Sequence, residues 1–419
     1  MTSVELKLFS LKQSKVLKIK SSEDIDARVA ELLANFSYQI DEEERRITIE
    51  SLQKNTQILR DNINGFVERY KQTAPEINQL GAFVRRLEDG EYFYIFSNEP
   101  LETIQIAELG NRLQALNQGL DDKENQKEFT SIFGDILSNY DMLAFNGESR
   151  ANIGESDKSK VKCRFCGNDT SRVTFRKKAH AISEALGNKG IVCNEECDTC
   201  NEKFGKGIET DLIAFLSLYR AFFGIKGKGS STPKLKGKNF SVRKDESGEV
   251  NFSIIGEDGA FPSRIEAHTY DKVSQQNIYR ALCKYLISVV PAEHLPVLKK
   301  CVQWINEDLS IDELPPIRMR VINELYSEYP SLSVFLRKNG DKEIPHLVGE
   351  FRFANIVAVF ILPASANDTI SFVNESDIDK FWEISHYSKS APISEWRMLR
   401  LDSDEEKELR FVVNFEKRV

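Results

Sequence analysis

Two pairs of cysteines with the same spacing are the residues of this chain best suited to chemistry. Cys163 and Cys166 form one C-x-x-C pair, and Cys197 and Cys200 form a second. Each pair makes a tight turn that brings two sulfurs together, and four such thiolates suit tetrahedral Zn²⁺. Because four protein ligands leave no open coordination position, the spacing predicts a structural zinc site that activates no water.

A fifth cysteine lies close to the second pair. Cys193 precedes Cys197 by four positions, and it is an alternative ligand in place of Cys197. We prefer Cys197, because both ends of the site then have the same C-x-x-C geometry. The chain has seven cysteines, five of them between 163 and 200, and this clustering favours a metal site in a reducing compartment over a disulfide scaffold.

One histidine lies between the two cysteine pairs, in a basic stretch. His180 by itself identifies no chemistry, because a lone histidine is more often a structural or surface residue than a catalyst. Cations grouped in this way are typical of proteins that hold the phosphates of nucleic acid, where they position the backbone without reading bases. The candidate phosphate-binding residues are Arg176, Lys177, Lys178, Lys189, Lys203 and Lys206.

The charge of this stretch differs in sign from the charge of the whole chain. Residues 156 to 240 contain 17 Lys and Arg against 9 Asp and Glu, a net charge of +8, whereas the 419 residues together carry −8. The remainder therefore carries −8 minus +8, or −16. A net negative protein would by itself argue against a nucleic-acid partner, but a basic module inside an acidic chain favours one.

The order of these residues resembles a known family. His180 is followed by Ala-Ile-Ser-Glu-Ala-Leu-Gly187, and Cys200-Asn201 by Glu-Lys-Phe-Gly-Lys-Gly-Ile-Glu209. Together with the two C-x-x-C pairs, this pattern resembles the HNH endonucleases of the ββα-metal fold, in their zinc-stabilised branch. The resemblance covers roughly residues 161 to 215.

The resemblance implies a mechanism of phosphodiester hydrolysis. His180 would take a proton from water, and the resulting hydroxide would attack the phosphorus. Asn201 would orient the imidazole through a hydrogen bond, and a divalent cation, Mg²⁺ or Mn²⁺, would stabilise the leaving oxygen. The third position of the family pattern falls near Glu209, which we predict to be the ligand of that cation, with Asp211 as the fallback.

One position departs from the family pattern. Many HNH enzymes carry a metal ligand immediately before the catalytic histidine, where this chain has Ala179. Since alanine cannot ligate, cation binding would draw on Glu184, Asp198 or substrate oxygens. The departure also favours the alternative function, a zinc-stabilised module that binds nucleic acid or assembles with a partner without catalysis.

Both helices and strands are predicted on each side of this module. The predicted fold class is α+β, with a central ββα-metal zinc module between two α+β regions. Polar, Gly-rich or Lys-rich stretches mark its edges. The predicted divisions are an α+β domain at 1–145, the HNH module at 156–225, a basic linker at 226–240 with five lysines, and an α+β domain at 241–419.

Periodicity places individual elements within these divisions. Strands are predicted at 4–8, 16–20, 46–50, 91–97, 251–255, 351–362 and 409–415, and helices at 22–34, 103–117, 124–143, 273–290 and 295–305.

The function predicted is a metal-dependent HNH endonuclease acting on nucleic acid, with DNA as the favoured substrate. HNH modules inserted in larger prokaryotic proteins resemble restriction and anti-phage defence components, and the acidic flanks would bind a protein partner or activator, or hold the basic module off DNA. The longest apolar stretch, 212–225, is shorter than the roughly 20 residues of a membrane-spanning helix. With no secretory signal at the N-terminus, we expect a cytoplasmic protein.

Overall fold

The computed structural model divides the chain into two compact units, residues 1–138 and 139–419. It describes residues 2–21, 25–36, 38–41, 46–97, 101, 103–229, 231–254, 262–322, 326–338 and 340–415. Both units combine helices with antiparallel sheet, and the predicted α+β class is confirmed.

The first unit is built on a four-stranded antiparallel sheet with the order β2-β1-β6-β5. A separate hairpin pairs β3 with β4. The strands are β1 (Thr2–Phe9), β2 (Ser14–Ser21), β3 (Tyr38–Asp41), β4 (Arg46–Ile49), β5 (Leu52–Lys54) and β6 (Tyr92–Ser97). The helices are α1 (Ile25–Leu33), α2 (Gln57–Tyr70), α3 (Asn78–Arg85), α4 (Thr103–Gln118) and α5 (Asp122–Asn139).

Alternation along β1 and β2 gives this sheet a buried face. Leu6, Leu8, Leu17 and Ile19 turn inward and share a core with the apolar sides of α2 and α3, as a period of two residues requires. The helix predicted at 22–34 is α1, and its predicted cap Ser22 lies outside the described residues. The helix predicted at 124–143 is shorter, because Tyr140 begins a strand of the second unit.

The second unit contains the candidate site. Its helices are α6 (Asp198–Lys206), α7 (Ile208–Phe215), α8 (Ser217–Phe223), α9 (Gln275–Val289), α10 (Lys299–Ile305), α11 (Glu375–Ile384) and α12 (His386–Ser390). Its strands are β7 (Tyr140–Asn146), β8 (Ala151–Ile153), β9 (Ile191–Cys193), β10 (Lys234–Lys236), β11 (Phe240–Lys244), β12 (Val250–Ile254), β13 (Arg264–Ser274), β14 (Ile317–Val321), β15 (Ser327–Arg337), β16 (Leu347–Ala354), β17 (Ile356–Ile361), β18 (Arg397–Leu399) and β19 (Glu406–Asn414).

A six-stranded antiparallel sheet forms the main platform of this unit, with the order β18-β14-β17-β16-β15-β7. Strand β7 comes from residues 140–146, whereas the other five strands of this sheet all come from the region after residue 316. It pairs with β15 at one edge of the sheet. The stretch predicted as strand at 351–362 is two strands, because Ala354 has a φ of 53° and the chain reverses there. The segment predicted as a linker at 226–240 contains β10, which pairs with β11.

Helix α9 packs in the middle of the second unit and is buried along nearly its whole length. It is flanked by residues of the predicted module on one side and by the six-stranded sheet on another, and one continuous core includes residues of all three. Its buried residues include polar and charged side chains, among them Arg280 and Lys284, which need partners in such a central position. The module at 156–225 thus shares its core with the C-terminal region.

No helix in the described part of the chain is both long enough and apolar enough to span a membrane.

Candidate metal centre and active site

The four predicted zinc ligands converge. The sulfurs of Cys163, Cys166, Cys197 and Cys200 all lie within 4.8 Å of one another, and the Sγ atoms of Cys166 and Cys197 are 3.8 Å apart. Tetrahedral Zn²⁺ with Zn–S bonds of about 2.3 Å requires such separations. These residues fit a structural zinc ion, which would crosslink the two ends of the module.

Local backbone geometry explains why the sulfurs meet. Gly167 has a φ of 73° and its N–H donates to the Cys163 carbonyl, closing the first cysteine turn. Cys197 is the N-cap of α6, and its sulfur accepts from the Cys200 N–H at 3.5 Å. Cys193 is not part of the cluster, and burial raises the pKa of its thiol to about 12. The preference for Cys197 over Cys193 agrees with this geometry.

Between the cysteine pairs the chain forms a short strand–strand–helix arrangement. Residues 179 to 181 run antiparallel to β9: His180 bridges Val192, and the Cys193 N–H donates to the Ala179 carbonyl at 2.9 Å. Helix α6 follows directly. This is the ββα order that the resemblance implies, with a single β-bridge in place of a full first strand, and His180 lies at that bridge.

The His180 ring lies at the edge of this arrangement with a side-chain exposure of 14%. Its Nδ1 is buried without a hydrogen-bond partner, while Nε2 lies 3.9 Å from a carboxylate oxygen of Glu184. Burial lowers the pKa of His180 from 6.5, opposed by Glu184 and assisted by Lys178 and Lys284. The imidazole is therefore neutral at physiological pH, the form that accepts a proton.

Asn201 lies on α6 in a half-buried position. The hydrogen bond to the imidazole implied by the resemblance is absent among the residues that the structure describes, since Nδ1 of His180 has no partner. The main chain at this position has a partner of its own, since the His180 carbonyl accepts from the Lys284 ammonium at 3.2 Å.

Lys284 of α9 reaches into the module beneath His180. Its ammonium lies 3.1 Å from a carboxylate oxygen of Glu196 and 3.0 Å from one of Glu209. Burial by itself would lower the pKa of Lys284, but the two carboxylates outweigh it and the pKa is raised. Glu209, predicted to hold a divalent cation, is thus already engaged with a buried cation of the protein.

The other carboxylates considered as metal ligands also have partners. Asp198 accepts from the Thr174 hydroxyl and from the backbone N–H groups of residues 176 and 177. Asp211 accepts from the Ser274 N–H at 3.1 Å and from Asn277 at 2.9 Å, at the start of α9. Ala179 is buried. Glu184 is left as the carboxylate nearest to Nε2 of His180.

The six predicted phosphate-binding residues are exposed but do not form one patch. Lys177 and Lys206 both approach Glu202, at 3.3 and 2.6 Å. Lys178 donates to the carbonyl of Lys189 at 3.2 Å, so these two are neighbours. Lys203 instead points to the end of α10, where it donates to the Asn306 carbonyl. Arg176, Lys177 and Lys178 line one cavity beside Ala179.

Sequence reasoning missed two buried cations that join α9 to the module. One is Lys284, and its sequence signal is a lone lysine inside the apolar helical stretch 278–290. The other is Arg164, which donates to the carbonyls of Ile287 and Val290 at 2.7 and 3.1 Å and pairs with Glu195. Its position between two zinc ligands concealed this role.

Comparison with protein-family models matches residues 163–216 to the family described as HNH endonuclease. The resemblance predicted from the sequence is confirmed for this segment, which is the strand–strand–helix arrangement with its four-cysteine cluster. No curated protein and no solved structure matched the chain.

The zinc content of cysteine variants tests which of the clustered cysteines bind the metal. We expect Cys197→Ser and Cys200→Ser to lose the bound zinc, because each removes one of four thiolates, and Cys193→Ser to keep one zinc per chain. Metal analysis of the purified proteins measures this. Zinc lost from Cys193→Ser and kept in Cys197→Ser would contradict the assignment.

Substitution of Lys284 tests the buried charge cluster. Lys284→Met leaves two buried carboxylates without their cation, so we expect the free energy of unfolding to fall by about 3–5 kcal/mol. Urea unfolding followed by tryptophan fluorescence reports the second unit, since all three tryptophans, at 304, 382 and 396, lie there.

The matched control is Lys203→Met, which removes a lysine whose side chain is 46% exposed. We expect it to change stability by less than about 0.5 kcal/mol. Equal losses in the two variants would show that the cluster contributes no special stability.

Proposed function

We propose that this protein is an HNH-type endonuclease that hydrolyses phosphodiester bonds in nucleic acid, with DNA as the first substrate to test. The observation that carries the proposal is the position of His180. A neutral, mostly buried imidazole lies at the bridge to β9 within an HNH module, with Nε2 3.9 Å from Glu184, and a group of exposed cations directly precedes it in sequence.

In the proposed reaction His180 is the general base. Because Nδ1 is buried, Nε2 takes the proton from a water molecule. The water oxygen forms a bond to phosphorus in line with the leaving oxygen, whose bond to phosphorus breaks. The leaving oxygen takes up a proton from solvent. Arg176, Lys177 and Lys178 would hold neighbouring phosphates during this step.

The zinc ion has a structural part in this proposal. Four thiolates fill its coordination sphere, so it supplies a crosslink rather than a bound water. The crosslink fixes the start of α6 relative to the first cysteine turn, and the segment with His180 lies between the two in sequence. We infer a reducing setting such as the cytoplasm, where the thiols stay available to the metal.

A protein-bound Mg²⁺ or Mn²⁺ at Glu209 does not fit the residues present. Lys284 already neutralises this carboxylate, and a divalent cation at the same oxygens would lie against an ammonium group. Asp198 and Asp211 are committed to their own hydrogen bonds. Any divalent cation would have to be held by Glu184 with substrate oxygens.

A second candidate function is nucleic-acid binding or partner assembly without cleavage. Two observations favour it: Ala179 stands where many HNH enzymes have a metal ligand, and Glu209 is paired with Lys284. In this case the module would bind nucleic acid through the same cations. The acidic regions outside the module would be the surfaces for a protein partner or activator, in keeping with a role in restriction or anti-phage defence.

Cleavage of supercoiled plasmid and of single-stranded DNA, with Mg²⁺ or Mn²⁺, separates the two functions. Loss of a general base typically costs about 10²–10⁴-fold in rate, so we expect His180→Ala to be slower by that factor. The control is His268→Gln, which changes a histidine of β13 that pairs with Glu408 of β19. We expect this variant to cut DNA like the wild type. DNA bound but never cut by the wild type would favour the binding function.

The pH dependence follows from the lowered pKa of His180. The base must be neutral, so the rate should rise with pH through a midpoint below 6.5 and reach a plateau at neutral pH. A rate still rising above pH 7 would contradict His180 as the base.

Two glutamate variants locate a divalent cation. We expect Glu209→Gln to leave the affinity for Mn²⁺ unchanged within about twofold, because Lys284 and not a metal is its partner. Glu184→Gln should weaken Mn²⁺ binding about tenfold or more. Titration of the zinc-loaded His180→Ala chain in the presence of single-stranded DNA, against a blank of DNA alone, measures both by electron paramagnetic resonance. Mn²⁺ binding lost in Glu209→Gln and kept in Glu184→Gln would restore Glu209 as a ligand.

A further inference from the structure

A cavity of about 430 Å³ lies next to the catalytic histidine of the proposed reaction. It is lined on one side by Ala179 and Val192, which are the chain neighbour and the cross-strand partner of His180. Its other walls come from two segments, residues 152–161 and 175–178. We call it the 152–178 cleft after the first and last residues of these segments. His180 itself does not line the cavity, so the cavity adjoins the segment that carries the histidine.

Cations dominate the walls of the 152–178 cleft. Lys158 comes from one segment, and Arg176, Lys177 and Lys178 come from the other, against a single acidic wall residue, Glu155. In the described part of the chain, Lys158 and Arg176 have no ion-pair partner. Exposed like charges grouped around a concave surface concentrate positive potential there, which attracts an anion.

The wall that carries Lys158 is fixed to the module although it lies outside the matched family segment. Strand β8 pairs in parallel with β9, with Asn152 opposite Val192. The Glu155 N–H donates to the Glu195 carboxylate at 2.9 Å. Gly154 has a φ of 85°, and a Cβ there would come within 2.4 Å of the Glu195 side chain. The turn is therefore held against the module at a defined distance.

The volume and the polar groups indicate what the cleft accepts. A volume near the lower end of the roughly 300–1,000 Å³ range of ligand pockets suits one unit of a strand. Amide groups of Asn152 and Asn194 add neutral donors and acceptors beside the cations. Phosphodiester oxygens match this combination of lysine, arginine and amide donors.

We infer that the 152–178 cleft is a subsite for the sugar–phosphate backbone of a nucleic-acid strand, next to the phosphate that His180 would address. This inference rests on the proposed function for the identity of the ligand. It adds Lys158, from a segment that precedes the family module, to the residues that bind substrate.

The test uses the full chain with His180→Ala, so that binding is measured without cutting. The probe is a fluorescein-labelled single-stranded DNA of 20 nucleotides, followed by fluorescence anisotropy from 50 to 200 mM NaCl without added divalent cation. We expect Lys158→Ala to weaken binding about fivefold and to flatten the slope of log K against log salt by about 0.7, the value for one phosphate contact on a single strand. Adding Arg176→Ala to the Lys158→Ala variant should flatten this slope further.

The matched control is Lys160→Ala, two residues along the same turn. Lys160 is exposed, pairs with Asp157 at 3.4 Å and does not line the cleft. We expect its affinity and salt slope to equal those of the parent. Equal behaviour of Lys158→Ala and Lys160→Ala, or a parent that binds no DNA, would overturn the subsite.

Failure of the subsite and failure of the proposed function give different results. If the wild type cuts DNA and Lys158→Ala binds like the parent, the nuclease stands and the subsite falls. If the wild type never cuts but binding depends on Lys158 and not on Lys160, the subsite stands and catalysis falls.

Discussion

The ammonium group of Lys284 lies between two buried carboxylates, and the arrangement of the candidate site depends on this contact. Glu196 immediately precedes a zinc ligand, Glu209 lies on α7, and the same ammonium donates to the carbonyl of His180. A buried charge without a partner costs several kcal/mol, so the three segments are bound to keep their relative positions. The helix that supplies the lysine is thereby part of the framework of the candidate site.

Zinc and Arg164 act on the same framework from the other end. The four thiolates bring residue 163 to the start of α6, and the next residue along donates to carbonyls at the C-terminal end of α9. A cation there satisfies acceptors that the helix cannot satisfy itself and interacts favourably with its dipole. Loss of zinc would therefore disturb the packing of α9 as well as the cysteine turns.

The sequence was informative where the determinants are local. Two C-x-x-C pairs predict a metal cluster because ligand spacing within a turn is short-range, and the residues around His180 predict the strand–strand–helix order that the structure shows. Partners distant in sequence could not be predicted: Lys284 and His180 are 104 positions apart. The role of Glu209 depends on that lysine. Asn201 was assigned by resemblance, and its expected contact with the imidazole is absent among the described residues, where Nδ1 of His180 has no partner.

The shared core of the module and α9 has a consequence for inheritance. A nuclease cassette that folds by itself can move between genes as one uninterrupted stretch of DNA. Here the stretch that encodes residues 163–216 would arrive in a new host protein without the helix whose lysine pairs with its two buried glutamates. Exchange by recombination would have to carry the coding sequence as far as α9, so this module and its C-terminal neighbour are expected to evolve as one unit.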